Sequence, residues 1–267
     1  MSKLIVVANW KMNPQMESEA LNLFEKTLAA AKSAQNVSVI VAPPYPFLES
    51  ISKRWGLYEA EKRQEAALHL AAQDVFWERD GAYTGEVSPS MEKNMGVAYV
   101  IVGHSERRRH LGETNQMINQ KLKKALEFGI KPILCVGEES RAGDEIPESV
   151  GNQLRAALDD VSAESAESVV VAYEPVWAIS GGASSHPDTP SDMHKAALYI
   201  KKILLDMYGR KSADKITVLY GGSVDSRNAV SFIAETGGEV HGLLVGRDSL
   251  TPDFARVIQL LDRYARQ

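Results

Sequence analysis

A chain of 267 residues, 44% hydrophobic and 24% charged, has the composition of a globular protein with a large core, and its length suits one (β/α)8 barrel as well as two smaller domains. A net charge of −5 argues against a nucleic-acid partner, and a single cysteine, Cys135, excludes an internal disulfide and a thiolate metal cluster. The first apolar run, residues 4–8, is too short for a signal peptide or a membrane helix, so a cytoplasmic protein with no membrane partner is expected.

Further short runs rich in Val and Ile follow at residues 37–42, 68–73, 98–103, 131–136, 169–174, 216–220 and 242–245, which with the first makes eight. Continuous apolarity, rather than alternation, is expected of strands buried on both faces. Helical spacing fills the intervals. Leu21, Phe24, Leu28 and Ala31 share one face of a helix predicted over residues 17–34. Leu122, Ala125 and Leu126 mark another, stopped near Gly129. The run Arg107-Arg108-Arg109-His110 directly follows Glu106 and reads as a solvated or ion-paired helix face. Met193, Ala196, Ala197, Ile200, Leu204 and Met207 predict a longer helix ending near Gly209, and Val257, Leu260, Leu261 and Tyr264 predict the last.

Strand and helix alternating eight times without a long polar linker predict an α/β fold: one (β/α)8 barrel spanning residues 1–267. An open doubly wound sheet is the competitor. Against it, no Gly-x-Gly-x-x-Gly follows the first strand and no Walker-type Gly-Lys-Ser/Thr is present, so no nucleotide cofactor is implied. In a barrel, chemistry belongs where the strands end. Asn9 and Lys11 stand there after the first strand, His104 after the fourth and Glu174 after the sixth.

Each of these residues has an ordinary reading and a functional one. Glu174 is either an ion-pair partner at a strand end or a partly desolvated general base. His104, in Gly103-His104-Ser105, is either structural or a neutral donor at the start of a helix opening at Ser105. Lys11 is either a surface cation or a counter-charge for an oxyanion, and Asn9 either a loop residue or a ligand. The turns Gly221-Gly222-Ser223, before a helix predicted from Asp225, and Gly246-Arg247-Asp248-Ser249 suit phosphate on backbone N–H groups, although tight turns need glycine anyway. Residues 179–185, small and polar after Pro175-Val176-Trp177, read as a lid or as a long surface loop. Cys135 sits in Ile133-Leu134-Cys135-Val136 and reads as a buried inert thiol. His186 and His194 lack a ligand-spaced Glu or Cys, so no metal site is expected.

Four blocks resemble the motifs of the triosephosphate isomerase family: Ala8-Asn9-Trp10-Lys11-Met12-Asn13, Gly103-His104-Ser105-Glu106-Arg107-Arg108, Ala172-Tyr173-Glu174-Pro175-Val176-Trp177-Ala178-Ile179 and Tyr220-Gly221-Gly222-Ser223-Val224. The resemblance implies interconversion of dihydroxyacetone phosphate and glyceraldehyde 3-phosphate through an enediolate, without metal or cofactor. It implies Glu174 as the base, His104 as the group that polarises the carbonyl and relays protons between the oxygens, and Lys11 and Asn9 as charge and hydrogen-bond partners. It makes Ser105 the neighbour of the resting base and Glu106 a carboxylate behind the site. The phosphate would lie on N–H groups of Ser180, Ser223, Gly246 and Arg247. A homodimer is also implied, with residues 73–86 as the loop whose Thr84 reaches Lys11 of the partner subunit. Two positions depart from the family pattern. The lid reads Ile179-Ser180-Gly181-Gly182-Ala183 in place of Ile-Gly-Thr-Gly-Lys, and Arg247 replaces the second glycine of the last turn. Two alternatives accompany this reading: a non-catalytic phosphate-binding barrel, and an isomerase of a longer sugar phosphate.

Overall fold

The computed structural model describes residues 3–56, 67–179 and 188–267. Eight parallel strands, β1 (Leu4–Asn9), β2 (Val37–Ala42), β3 (Leu68–Ala72), β4 (Val97–Val102), β5 (Lys131–Val136), β6 (Val170–Tyr173), β7 (Thr217–Tyr220) and β8 (Gly242–Val245), pair in sequence order, and β8 returns to β1 to close the barrel. Closure rejects the open-sheet alternative.

Around the barrel, the described residues form the α-helices α1 (Glu17–Ser33), α2 (Tyr45–Gly56), α3 (Pro89–Asn94), α4 (Ser105–Leu111), α5 (Asn115–Glu127), α6 (Glu148–Ala157), α7 (Ala163–Ala166), α8 (Pro190–Ala213), α9 (Ser231–Ala234) and α10 (Asp253–Tyr264). Two α-helical expectations shift. Gly209 breaks α8 with φ 71°, but the chain resumes a helical turn to Ala213 instead of stopping. No regular helix opens at Asp225. The Arg227 N–H donates to Asp225 Oδ1 at 2.8 Å and the Asp225 N–H to Asn228 Oδ1 at 2.9 Å, side-chain turns that compete with a helix, so α9 begins only at Ser231.

The strands are apolar throughout because both of their faces are covered. Val7, Ile40, Ala71, Ile101, Ile133, Ala172, Leu219 and Leu244 fill the barrel interior, while the alternate residues, such as Val6, Val39, Val102, Leu134 and Val171, pack into the larger core that includes the helices. The inward parity then runs off the strand ends into polar or minimal residues: Val7 leads to Asn9, Ala172 to Glu174, Leu219 to Gly221 and Leu244 to Gly246. The barrel interior thus opens onto chemistry at one end. Among the described residues, no helix is long and apolar enough to cross a membrane.

Candidate active site

Asn9, Lys11, His104, Glu106, Glu174, Ser223, Gly246 and Arg247 line one cavity of about 210 Å³ at the C-terminal ends of the strands. These residues stand at or shortly past the ends of β1, β4, β6, β7 and β8, and only barrel closure brings them together. Of the remaining expected residues, Ser105 lies just behind the cavity, Thr84 is exposed on the loop between β3 and α3, and Ser180 lies outside the described residues.

Glu174 is the most confined of the group, with its side chain 2% exposed. The backbone N–H of Ser105 donates to Oε2 at 3.3 Å, so the main chain of Ser105 holds the carboxylate. Oε1 lies 3.2 Å from His104 Nε2, but without hydrogen-bond alignment, and has no hydrogen-bond partner among the described residues. Gly221 leaves the room for this side chain, because a Cβ there would stand 2.8 Å from Glu174 Cγ. Cys135 packs nearby inside the barrel. Burial, and then the Glu174 carboxylate, push its thiol well above the ordinary range, which keeps it an inert S–H.

His104 owes its place to Gly103, whose φ of 72° turns the chain out of β4 and into α4. His104 is the N-cap of α4, and its Nδ1 accepts the Glu106 N–H at 3.2 Å. A ring nitrogen that accepts an N–H carries no proton, so the imidazole is neutral and its hydrogen sits on Nε2, toward Glu174.

Lys11 has φ 53°, a left-handed backbone that costs a non-glycine residue about 1–2 kcal/mol. Two side chains restrain it. Asn9 Oδ1 accepts the Lys11 N–H at 3.1 Å, and Gln73 Nε2 donates to Lys11 O at 2.8 Å and to Ala42 O at 2.9 Å. The ammonium donates to Glu106 Oε1 at 2.6 Å. Burial raises the Glu106 carboxyl, but this hydrogen bond and the neighbouring charge outweigh it and hold the group below its ordinary value.

A second cluster lies under the segment that follows Glu174. Tyr173 OH donates to Glu138 Oε1 at 2.8 Å, Trp177 Nε1 donates to the same oxygen at 2.9 Å, and the Arg141 guanidinium pairs with Glu138 and lies over the Trp177 ring, 5.2 Å from its centroid. Ser223 Oγ donates to Ala178 O at 2.8 Å and ties the β7 turn to the same segment. Sequence reasoning missed Gln73, Glu138 and Arg141. Gln73 and Glu138 stand just past β3 and β5, a signal that would have found them; nothing local marks Arg141.

A parallel barrel whose strand ends gather a confined carboxylate, a neutral imidazole donor and an ammonium around one small cavity is an enzyme built for proton transfer beside a carbonyl. The family model described as triosephosphate isomerase matches residues 4–261. The chain is 39% identical over 255 residues to the triosephosphate isomerase of Dictyoglomus thermophilum, covering 94% of this chain and 96% of the relative. It is 40% identical over 261 residues to that of Thermoanaerobacter pseudethanolicus, covering 97% and 99%, and 41% identical over 252 residues to that of Carboxydothermus hydrogenoformans, covering 94% and 95%. The chain belongs to the triosephosphate isomerase family.

Proposed function

We infer that the protein interconverts dihydroxyacetone phosphate and D-glyceraldehyde 3-phosphate by proton transfer through an enediolate. The observation that carries this reading is Glu174 Oε1, a buried carboxylate oxygen without a hydrogen-bond partner among the described residues, at a cavity it shares with the donor His104 Nε2. A carboxylate so placed takes a proton from the substrate carbon next to the carbonyl and returns it to the neighbouring carbon. The Nε2–H of His104 donates to the carbonyl oxygen as negative charge develops there and protonates it. The imidazole then takes up the hydroxyl proton of the neighbouring carbon, so that the old carbonyl becomes a hydroxyl and the old hydroxyl a carbonyl. Lys11 offsets the charge of enediolate and phosphate, and Asn9 both fixes the Lys11 backbone and donates from its amide. Ser105 and Glu106 position Glu174 and Lys11 respectively. Backbone N–H groups of Ser223, Gly246 and Arg247 take the phosphate, joined by Ser180.

The whole chain acts as one barrel domain in a cytoplasmic homodimer, in which Thr84 of the exposed loop after β3 reaches Lys11 of the partner subunit. Support comes from Lys11 itself, which is anchored by Gln73 at the root of that loop.

A coupled assay of purified protein with glyceraldehyde 3-phosphate tests the activity. Turnover is expected, and Glu174→Gln lowers kcat by about 10²–10⁴ with KM within a few-fold, the range for loss of a general base. Absence of turnover together with tight binding of a phosphoglycolate-like anion defeats the reading and points to a non-catalytic phosphate-binding barrel.

A further inference from the structure

The turn after β8 presents a side chain that backbone recognition of phosphate does not use. Arg247 opens the 3-10 turn Arg247–Leu250, and its side chain is exposed. It lines the cavity beside Lys11 and Gly246. The turn is held firmly from beneath, since the fully buried Ser249 donates through Oγ to Gly246 O at 2.6 Å.

The charges on the cavity wall are unbalanced for a dianion. Lys11 and Arg247 are its cations, against the carboxylates Glu106, Glu174 and Asp248. Lys11 is already paired with Glu106 at 2.6 Å. Behind the turn stand two more carboxylates. Asp225 is paired with Arg227, and Asp253 accepts the Ser226 N–H at 2.8 Å. The acidic crowding shows on Asp248: burial first, then Asp225 and Asp253, raise its carboxyl above the ordinary value, against Arg247 and Arg227. An anion entering this end of the cavity meets the field of Asp248 and Asp253. Among the described residues the Arg247 side chain makes no hydrogen bond or ion pair, so its donors are the cationic ones left for a ligand.

We propose that the Arg247 guanidinium binds the substrate phosphate directly, adding a charged fork to the backbone N–H groups of the β7 and β8 turns and offsetting the field of Asp248 and Asp253. The proposal rests on the reading of this cavity as a triose phosphate site. A guanidinium fits tetrahedral phosphate oxygens through paired N–H donors, and such charge-assisted bonds are about twice as strong as neutral ones.

The test compares wild type, Arg247→Ala and Arg247→Lys, with inorganic phosphate as competitive inhibitor and two substrates, glyceraldehyde 3-phosphate and unphosphorylated glyceraldehyde. Arg247→Ala is expected to weaken phosphate inhibition about 10-fold or more and to lower kcat/KM for the phosphorylated substrate by a similar factor, the scale of one charge-assisted hydrogen bond. Its kcat/KM for glyceraldehyde, which carries no phosphate, falls by a much smaller factor than that for the phosphorylated substrate, and Arg247→Lys recovers part of the loss. The phosphate affinity of wild type falls more steeply with added salt than that of Arg247→Ala. Wild-type phosphate affinity in Arg247→Ala overturns the proposal, as does tighter binding, which would mean that the side chain crowds the site. Both of those results leave turnover intact and the proposed function standing, whereas a wild-type protein inactive on glyceraldehyde 3-phosphate removes both.

Discussion

Two groups of charges flank the segment from Gly103 to Glu113, the first partly open to solvent and the second largely buried. On one side His104 and Glu106 face the cavity with Lys11 and Glu174. On the other, Arg107 donates to Asp74 Oδ2 at 2.7 Å and Glu113 Oε1 at 2.6 Å, and Lys121 donates to both oxygens of Asp74 at 2.7 Å and to Glu113. Tyr45 and Glu92 extend this second group. Each group contains carboxylate oxygens without a hydrogen-bond partner among the described residues: Glu174 Oε1 in the first, Glu113 Oε2 and Glu92 Oε2 in the second. An orphan oxygen alone therefore does not mark a reactive centre. What separates the two is space, because Glu174 adjoins a cavity of about 210 Å³ while Asp74, Glu92, Glu113 and Lys121 are all buried in packed protein. The second group balances its own charges, and the first leaves them for a ligand.

The sharpest way to break this contrast is to remove one charge from the packed group. Lys121→Met leaves Asp74 and Glu113 facing each other in the interior, with Arg107 as the remaining cation. Loss of one partner from a buried ionic cluster costs about 3–5 kcal/mol, so denaturant unfolding should show a loss of that size, while kcat of the remaining folded protein stays within a few-fold of wild type. A loss below about 1 kcal/mol would mean that water reaches Lys121 and that the packed group is not what it looks like.

The cavity group should answer in the opposite way. Gly221→Ala places a methyl 2.8 Å from Glu174 Cγ and 3.3 Å from Tyr173 O, so the carboxylate must shift. Misplacement on this scale lowers kcat by about 10- to 100-fold, with KM and the unfolding midpoint little changed. Unchanged kcat would show that the carboxylate adapts and that its resting position carries no part of the rate.

Much of this was legible from residues alone, for physical reasons. Strands covered on both faces must be continuously apolar, so all eight runs were visible, and a polar side chain just past such a run stands out, as Asn9, Lys11, His104 and Glu174 do. Closure of the barrel was not legible, because it resides in the pairing of β8 with β1, which no local pattern encodes. Nor was the cluster of Glu138, Arg141, Tyr173 and Trp177, whose contacts join residues 35 and 39 positions apart. The helix expected from Asp225 failed because Asp225 and Asn228 spend their side chains on local turns. The ionic group behind α4 was hidden in the run Arg107-Arg108-Arg109, where Arg107 turns out to be part of a buried cluster and Arg108 donates to Gly103 O at 2.8 Å.

The smallest expected effect concerns the one acid of the packed group that pairs with no cation among the described residues. Glu92 is completely buried on α3, where the Tyr45 hydroxyl contacts both the backbone oxygen of Asp74 and Glu92 Oε1, the latter at 2.9 Å. The Tyr45 hydroxyl donates to Glu92 Oε1, and no cation pairs with this carboxyl among the described residues. Burial, with Asp74 adding to it against Tyr45 and Lys121, pushes the Glu92 carboxyl up to about 9 from an ordinary 4.5. Between these values the folded chain keeps a proton that the unfolded chain has lost. The stability that Glu92 contributes is therefore complete below about pH 4.5 and declines as pH rises toward 9, by at most about 1.4 kcal/mol per unit. Glu92→Gln cannot ionise, and its amide oxygen can accept from the Tyr45 hydroxyl in place of the carboxyl. Its melting temperature relative to wild type should climb steadily from pH 6 to pH 9, reaching a gain of about 1–2 kcal/mol, or a few degrees, near pH 8. A difference that does not change with pH would show that Glu92 is already ionised in the folded protein, and the self-balanced charge of the second group would have to be counted again with one more negative member.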